Sequence, residues 1–133
     1  MLRIAIACAA LIVSASLASA QTPADSRLKR ISDTKTIKLG YRAAAAPFSF
    51  VHPQTKEPVG YTVDLCRLAV DAIGKSLNTQ LKIEWVEVTT QNRFDMVAQG
   101  KADMECGSST ITLTRMKQVD FSLITFVEST GLV

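Results

Sequence analysis

With 133 residues, 47% of them hydrophobic and 20% charged, the chain has the length and apolar content of one ordinary domain able to bury a core, and it lies outside the disordered class. Fifteen Lys and Arg against twelve Asp and Glu leave a formal net charge of +3, too small and too dispersed for a phosphate-backbone partner, so no nucleic acid is expected. His52 is the single histidine, which excludes a Cys/His cluster, and neither a metal nor a cofactor is expected.

Residues 1–20 read apart from the rest. Arg3 supplies one positive charge, residues 4–13 form an almost unbroken apolar run, and Ala18-Ser19-Ala20 is an A-x-A cleavage pattern before Gln21. The run is shorter than the roughly 20 apolar residues of a spanning helix and is followed by Ser14 and Ser16, so it reads as a secretory signal peptide cleaved before Gln21. Cys8 lies inside the run and away from the cleavage point, which argues against a lipid-anchored cysteine. Export permits disulfides, but Cys66 falls in a helical pattern and Cys106 in a strand. The sequence leaves open that both thiols are free, or that Cys106 pairs with a cysteine outside this chain.

Residues 21–25 are polar, and residues 26–33 have a short helical character. Residues 36–42 alternate apolar and polar and predict a strand with Arg42 at its carboxyl end. Between 43 and 58 proline, aromatic and turn residues predict a loop and a hairpin-like excursion, with Phe48 and Phe50 as core residues, or one of them as an apolar lid. After Gly60, the apolar positions Leu65, Ala69, Ala72, Ile73 and Leu77 recur at helical spacing, and Asp64 stands where a negative charge suits the helix dipole. Residues 81–88 alternate with period two, the strongest strand signal in the chain. A second helix follows, with a threonine as N-cap, Phe94, Val97 and Ala98 facing inward, and Gly100 closing it. Residues 103–106 predict the next strand.

The alternation of strands and helices predicts an α/β fold with a parallel-rich sheet and ligands beyond the carboxyl ends of the strands. Three arginine-bearing segments fall there: Arg42, Arg93, and the stretch 105–115 with its glycine, its run of hydroxyls and Arg115. Glycine lets backbone approach a ligand, hydroxyls donate in several directions, and a guanidinium fork matches a carboxylate. Taken alone, that stretch is also an ordinary Ser/Thr-rich loop capping its own backbone. Convergence of three such segments on one rim points to capture of a small anion.

The succession Gly40-Tyr41-Arg42, Pro47-Phe48-Ser49-Phe50, Gly60-Tyr61-Thr62-Val63-Asp64-Leu65, Gln91-Asn92-Arg93, Glu105-Cys106-Gly107-Ser108 and Arg115-x-Lys117-Gln118-Val119-Asp120-Phe121-Ser122 resembles the bacterial extracellular solute-binding proteins of family 3. These are the periplasmic receptors of polar amino-acid ABC transporters, and the Gln-Asn-Arg and Glu-Cys-Gly-Ser segments look like the glutamate/aspartate-binding branch. The resemblance implies a two-lobed clamshell of the type II periplasmic-binding-protein kind, with residues 21–133 as the N-terminal part of its first lobe. It implies that Ser108, Thr110 and Arg115 hold the amino acid's α-carboxylate while Arg42, Thr90 and Arg93 face the side-chain carboxylate. It also implies a monomeric periplasmic receptor, with permease subunits of the inner membrane as partners. Thr90 stands where the branch often has serine, and Leu123-Ile124 where the wider family has a short acidic-proline turn. Two other functions are weighed: a dehydratase of the aromatic amino-acid pathway on the same fold, for which Glu105 is the nearby carboxylate, and the sensor ectodomain of a membrane receptor. Three arginines without a nucleophile favour binding over catalysis.

Overall fold

The computed structural model describes residues 26–128, so the signal peptide expected over residues 1–20 lies outside the described residues. In chain order the elements are α1 (Arg27–Thr34), β1 (Thr36–Tyr41), the short strands β2 (Ala44–Ala45), β3 (Ser49–Val51) and β4 (Pro58–Val59), α2 (Tyr61–Ser76), β5 (Lys82–Glu87), α3 (Arg93–Ala98), β6 (Met104–Cys106) and a 3-10 turn at Arg115–Lys117. A three-stranded parallel sheet has the order β5-β1-β6, and β2-β3-β4 form a separate antiparallel sheet. The mixed α/β class expected from the alternation is what forms, and the hairpin-like excursion is the small antiparallel sheet.

Register is what positions the site. Tyr41 lies opposite Glu87 on one side and Cys106 on the other, so Arg42, Val88 and Gly107 leave the three strands from one row. The central strand is the most buried: Ile37 and Leu39, two residues apart and on one face, are fully covered and meet Ile31, Val70 and Cys106 in the core. Ile83 and Trp85, their partners in register on β5, pack against the same cluster.

The helix α2 begins after Gly60, whose φ of 127° lies in territory that side chains rarely adopt. A Cβ there would come within 2.6 Å of the Phe48 carbonyl carbon and 2.8 Å of the Pro47 oxygen, because Tyr61 and Thr62 donate their backbone N–H groups to those two carbonyls. Glycine is therefore what lets the helix dock on the 47–48 turn. The buried face of α2 keeps Ile73 and Leu77 of the expected stripe, packed against the core beside Cys66, while Val63, Val70 and Gly74 are covered and the expected Ala72 is exposed. The stripe passes through the cysteine, which pins it.

Cys66 and Cys106 form a disulfide across 40 residues, which corrects the reading of both as free or as paired outside the chain. The two positions face each other because α2 lies over the carboxyl end of β6. The bond closes a long loop and ties the helix to the strand that leads into the Gly107 turn. Its reduction is expected to remove about 2–4 kcal/mol, measured as a lower urea midpoint in the presence of a dithiol. An unchanged midpoint would show that packing alone holds α2 on β6.

At the other end of the sheet a buried carboxylate fixes α1. Asp103, with its side chain 1% exposed, accepts from the Lys38 backbone N–H at 2.7 Å, pairs with Arg30, and lies 3.8 Å from Arg27 Nε. Arg27 also donates to the Asp103 carbonyl at 3.1 Å and to the Val97 carbonyl at 2.8 Å. The Asp103 side chain thus joins α1 to β1, and Arg27 carries the link on to α3.

Candidate functional site

Each candidate residue is delivered by the end of a strand or the start of a helix. Arg42 follows β1 and is fixed by Ser49, a fully buried serine whose hydroxyl accepts from the Arg42 N–H at 2.9 Å and donates to its carbonyl at 3.2 Å. The turn into α3 is held by a reciprocal pair: the Thr89 hydroxyl accepts from the Asn92 N–H at 3.2 Å, and the Asn92 side chain accepts from the Thr89 N–H at 2.8 Å. The N-cap of α3 is Asn92 and not the expected threonine, Thr89 acting one turn earlier through this pair, and Thr90 stands exposed between them. The next residue after the pair is Arg93.

Arg93 is buried, 5% exposed, with its Nε lacking a partner. The expected inward set of α3 is corrected here: Ala98 is exposed, and the arginine rather than an alanine turns inward. Its guanidinium lies 4.9 Å from the centre of the Phe94 ring, and that of Arg115 lies at the same distance from the same ring. Phe94 is thus the platform on which two arginines gather, a cation–π arrangement rather than plain core packing. Arg115 is also held by its own donation to the Thr110 carbonyl at 2.7 Å, which folds the 110–115 loop around the guanidinium.

Glu105 lies among these cations. Its Oε2 accepts from the Ser109 hydroxyl at 2.9 Å, while its Oε1 is buried without a partner. A Cβ on Gly107 would overlap Oε1 and would sit 3.3 Å from Arg42 Cγ, so the absence of a side chain there lets the Glu105 carboxylate and Arg42 approach the same turn. Burial pushes the Glu105 carboxyl up, against the opposing effect of the Ser109 hydrogen bond and of Arg93 and Arg42. Burial likewise lowers Arg93, with Arg115 and Arg42 acting in the same direction and Glu105 against them. Arg42, Arg93 and Arg115 therefore share one electrostatic neighbourhood, and Glu105 is its internal counter-charge.

The hydroxyls face a different space. Ser108, Ser109 and Thr110 line an open cleft of about 600 Å³ whose other walls include Phe48, Thr62 and the segment 121–128. Phe48 stacks edge-on with Tyr61 and with Phe126, at centroid distances of 6.3 Å and 4.9 Å, so it is a wall of this cleft and not part of the buried core. Phe50 is half-buried and also lies outside that core. The Tyr61 hydroxyl donates to the Thr125 carbonyl at 2.7 Å, holding the 121–128 segment over the cleft. Five of the six expected residues fall into two groups, the arginines near Glu105 and the hydroxyl pair on the cleft, with Ser109 between them touching both. Thr90 makes no contact with either group among those seen. Sequence reasoning passed over Ser109, although its place between two chosen hydroxyls was a signal, and it took Phe94 for core alone. His52 has a structural role, its Nδ1 accepting from the N–H groups of Gln54 at 3.3 Å and Thr55 at 3.2 Å.

Known proteins share this arrangement of elements. The chain is 41% identical to the L-glutamate/L-aspartate-binding protein of Pseudomonas aeruginosa over 99% of its own length and 45% of that protein's. It is 38% identical to the glutamate/aspartate import solute-binding protein of Escherichia coli over 93% of its length and 42% of that protein's. The chain thus spans about half the length of the curated relatives it matches. Among solved structures, an ancestral amino-acid-binding protein described as a precursor of cyclohexadienyl dehydratase superimposes with a TM-score of 0.64 at 31% identity, over 74% of this chain and 40% of that one. The fold is that of the type II periplasmic binding proteins, of which the chain makes part of one lobe. The model of one family matches residues 37–133, and the chain belongs to it: the bacterial extracellular solute-binding proteins, family 3.

Proposed function

We propose that the protein is the solute-binding component of an amino-acid ABC importer and that its ligand is an acidic amino acid, glutamate or aspartate. In this reading Arg115, with Ser108 and Thr110, holds the α-carboxylate, while Arg42, Thr90 and Arg93 face the side-chain carboxylate. The observation that carries it is the gathering of Arg42 and Arg93 beside the buried Glu105 carboxylate, with Arg115 sharing the Phe94 ring with Arg93, an excess of fixed positive charge that a ligand with two carboxylates would balance. The glutamate- and aspartate-binding relatives support the same ligand class.

The domain assignment belongs to the same proposal. Residues 1–20 direct export to the periplasm and are removed, and residues 21–133 are the N-terminal part of the first lobe. The monomeric receptor delivers its ligand to permease subunits of the inner membrane. No cofactor takes part. Holding suits the site better than conversion: a dehydratase would need an acid or base reaching substrate at the rim, whereas Glu105 is tied to Ser109 and has its second oxygen buried.

Calorimetric titration of the exported protein with L-glutamate, L-aspartate and L-glutamine tests the ligand class. An acidic amino acid should bind at least about tenfold more tightly than glutamine, about 1.4 kcal/mol of preference. Tighter binding of glutamine, or of a cationic amino acid, would overturn the reading.

A further inference from the structure

Glu105 is the one carboxylate among the three arginines, and a simple anion-binding site has no use for it. An ionised group there cancels part of the positive charge that a ligand anion would meet. Yet its surroundings are built rather than accidental: Ser109 holds one oxygen at 2.9 Å, the other oxygen is buried and unpartnered, and Gly107 leaves the space that this oxygen fills. Arg93, itself buried and with an unpartnered Nε, lies within electrostatic reach.

We propose that Glu105 is a proton-linked positioning residue of this site: when a ligand carboxylate docks against Arg42 and Arg93, Glu105 takes up one proton from solvent, so that the acidic ligand and a proton bind together. The inference rests on the acidic-ligand reading above. Its physical basis is that two carboxylates sharing the same cations in a partly desolvated site disfavour each other's ionisation. The ligand carboxylate keeps its charge because the guanidinium groups pair with it. Glu105 gives up its charge because burial already disfavours that charge, while Oε2 keeps the Ser109 hydrogen bond. Neutral Glu105 then no longer competes for Arg93, and the full charge of the guanidinium groups faces the ligand.

The groups that act on Glu105 come from every side of it. Arg42 reaches it from the end of β1, Arg93 from α3, and the Ser109 hydroxyl and Gly107 N–H from its own loop; Arg115 acts through Arg93. All of them favour the ionised carboxylate in the free protein, and a docked anion offsets them. The sign follows: affinity for an acidic ligand rises as pH falls toward the proton affinity of Glu105 in the free protein, and it weakens as pH rises.

The test is calorimetric titration of the exported protein with L-glutamate between about pH 5.5 and 8, a range in which the ligand's own carboxylates stay ionised, in buffers of different ionisation enthalpy. The wild-type protein should take up a fraction of a proton on binding and lose up to about tenfold in affinity per pH unit over part of the range. Glu105→Gln, which keeps an oxygen for Ser109 and cannot titrate, should give a flat profile with no proton uptake. Ser109→Ala removes a hydrogen bond that favours the ionised form, so the steep part of its profile should move to higher pH, and this variant decides the matter if Glu105→Gln does not fold. A wild-type profile that is already flat, a Glu105→Gln profile as steep as wild type, or a Ser109→Ala profile that does not move each overturns the linkage while leaving the acidic-ligand reading intact. Absence of glutamate binding at every pH overturns the ligand reading, and the linkage with it.

Discussion

Arg115→Ala is expected to abolish the binding of acidic and amide amino acids alike, because the α-carboxylate that Arg115 is proposed to hold is common to both. Leaving a buried anion with half of its pair costs on the order of 3–5 kcal/mol, two to four powers of ten in affinity. Arg93→Ala should act differently, reducing the preference for glutamate over glutamine while the α-carboxylate clamp remains. Arg93 is buried against Phe94 and Arg115 shares that ring, so some loss of affinity for both ligands accompanies the loss of preference. Titration of both ligands against both variants separates the roles. Full preference for glutamate in Arg93→Ala, or unaltered binding in Arg115→Ala, would contradict the assignment.

The second large effect concerns stability and lies at the opposite end of the sheet. Asp103→Ala strips a buried acceptor from Arg30, Arg27 and the Lys38 N–H at once, and among the described residues no other charged side chain joins α1 to β1. One-sided removal of a buried pair costs about 3–5 kcal/mol, and the lower end applies because both arginines are 38% exposed and regain water. That loss is a large share of the roughly 5–15 kcal/mol that holds a domain together. Urea unfolding should show a midpoint drop for Asp103→Ala, and a smaller drop for Asp103→Asn, which retains an acceptor for Lys38. A midpoint equal to wild type would show that α1 is held by Ile31 packing alone.

The elements that the sequence made legible are those whose signal is local. Period-two alternation around Trp85 places β5, the turn chemistry after Thr89 places the start of α3, and glycine followed by hydroxyls marks the loop after β6. On α2 the stripe read from the sequence meets the core at Ile73 and Leu77, whereas Ala72 is exposed and the covered face also takes in Val70 and the disulfide-bonded Cys66. Alanine buries too little surface to decide a face by itself. The least legible features join distant residues: Asp103 with Arg30, 73 positions away, and Cys66 with Cys106, 40 apart. No periodicity encodes such pairs.

For the site, the sequence offered candidate residues but not their arrangement. Arg42, Arg93 and Arg115, each in the segment that follows a strand of the parallel sheet, could be read directly, since parallel strands bring their carboxyl ends to one row. That Arg93 would be buried and that Phe94 would gather two guanidinium groups depends on how α3 turns against β6, which single-residue preferences do not specify. Nor does a glutamate in a strand announce that its carboxylate folds back beneath the following glycine.

A crystal structure of the exported protein with L-glutamate bound tests the central claim most directly. The α-carboxylate should be found within hydrogen-bond distance of the Arg115 guanidinium and of the Ser108 or Thr110 hydroxyl, with the side-chain carboxylate directed at Arg42 and Arg93. Glutamate bound with neither carboxylate on these arginines would contradict the account.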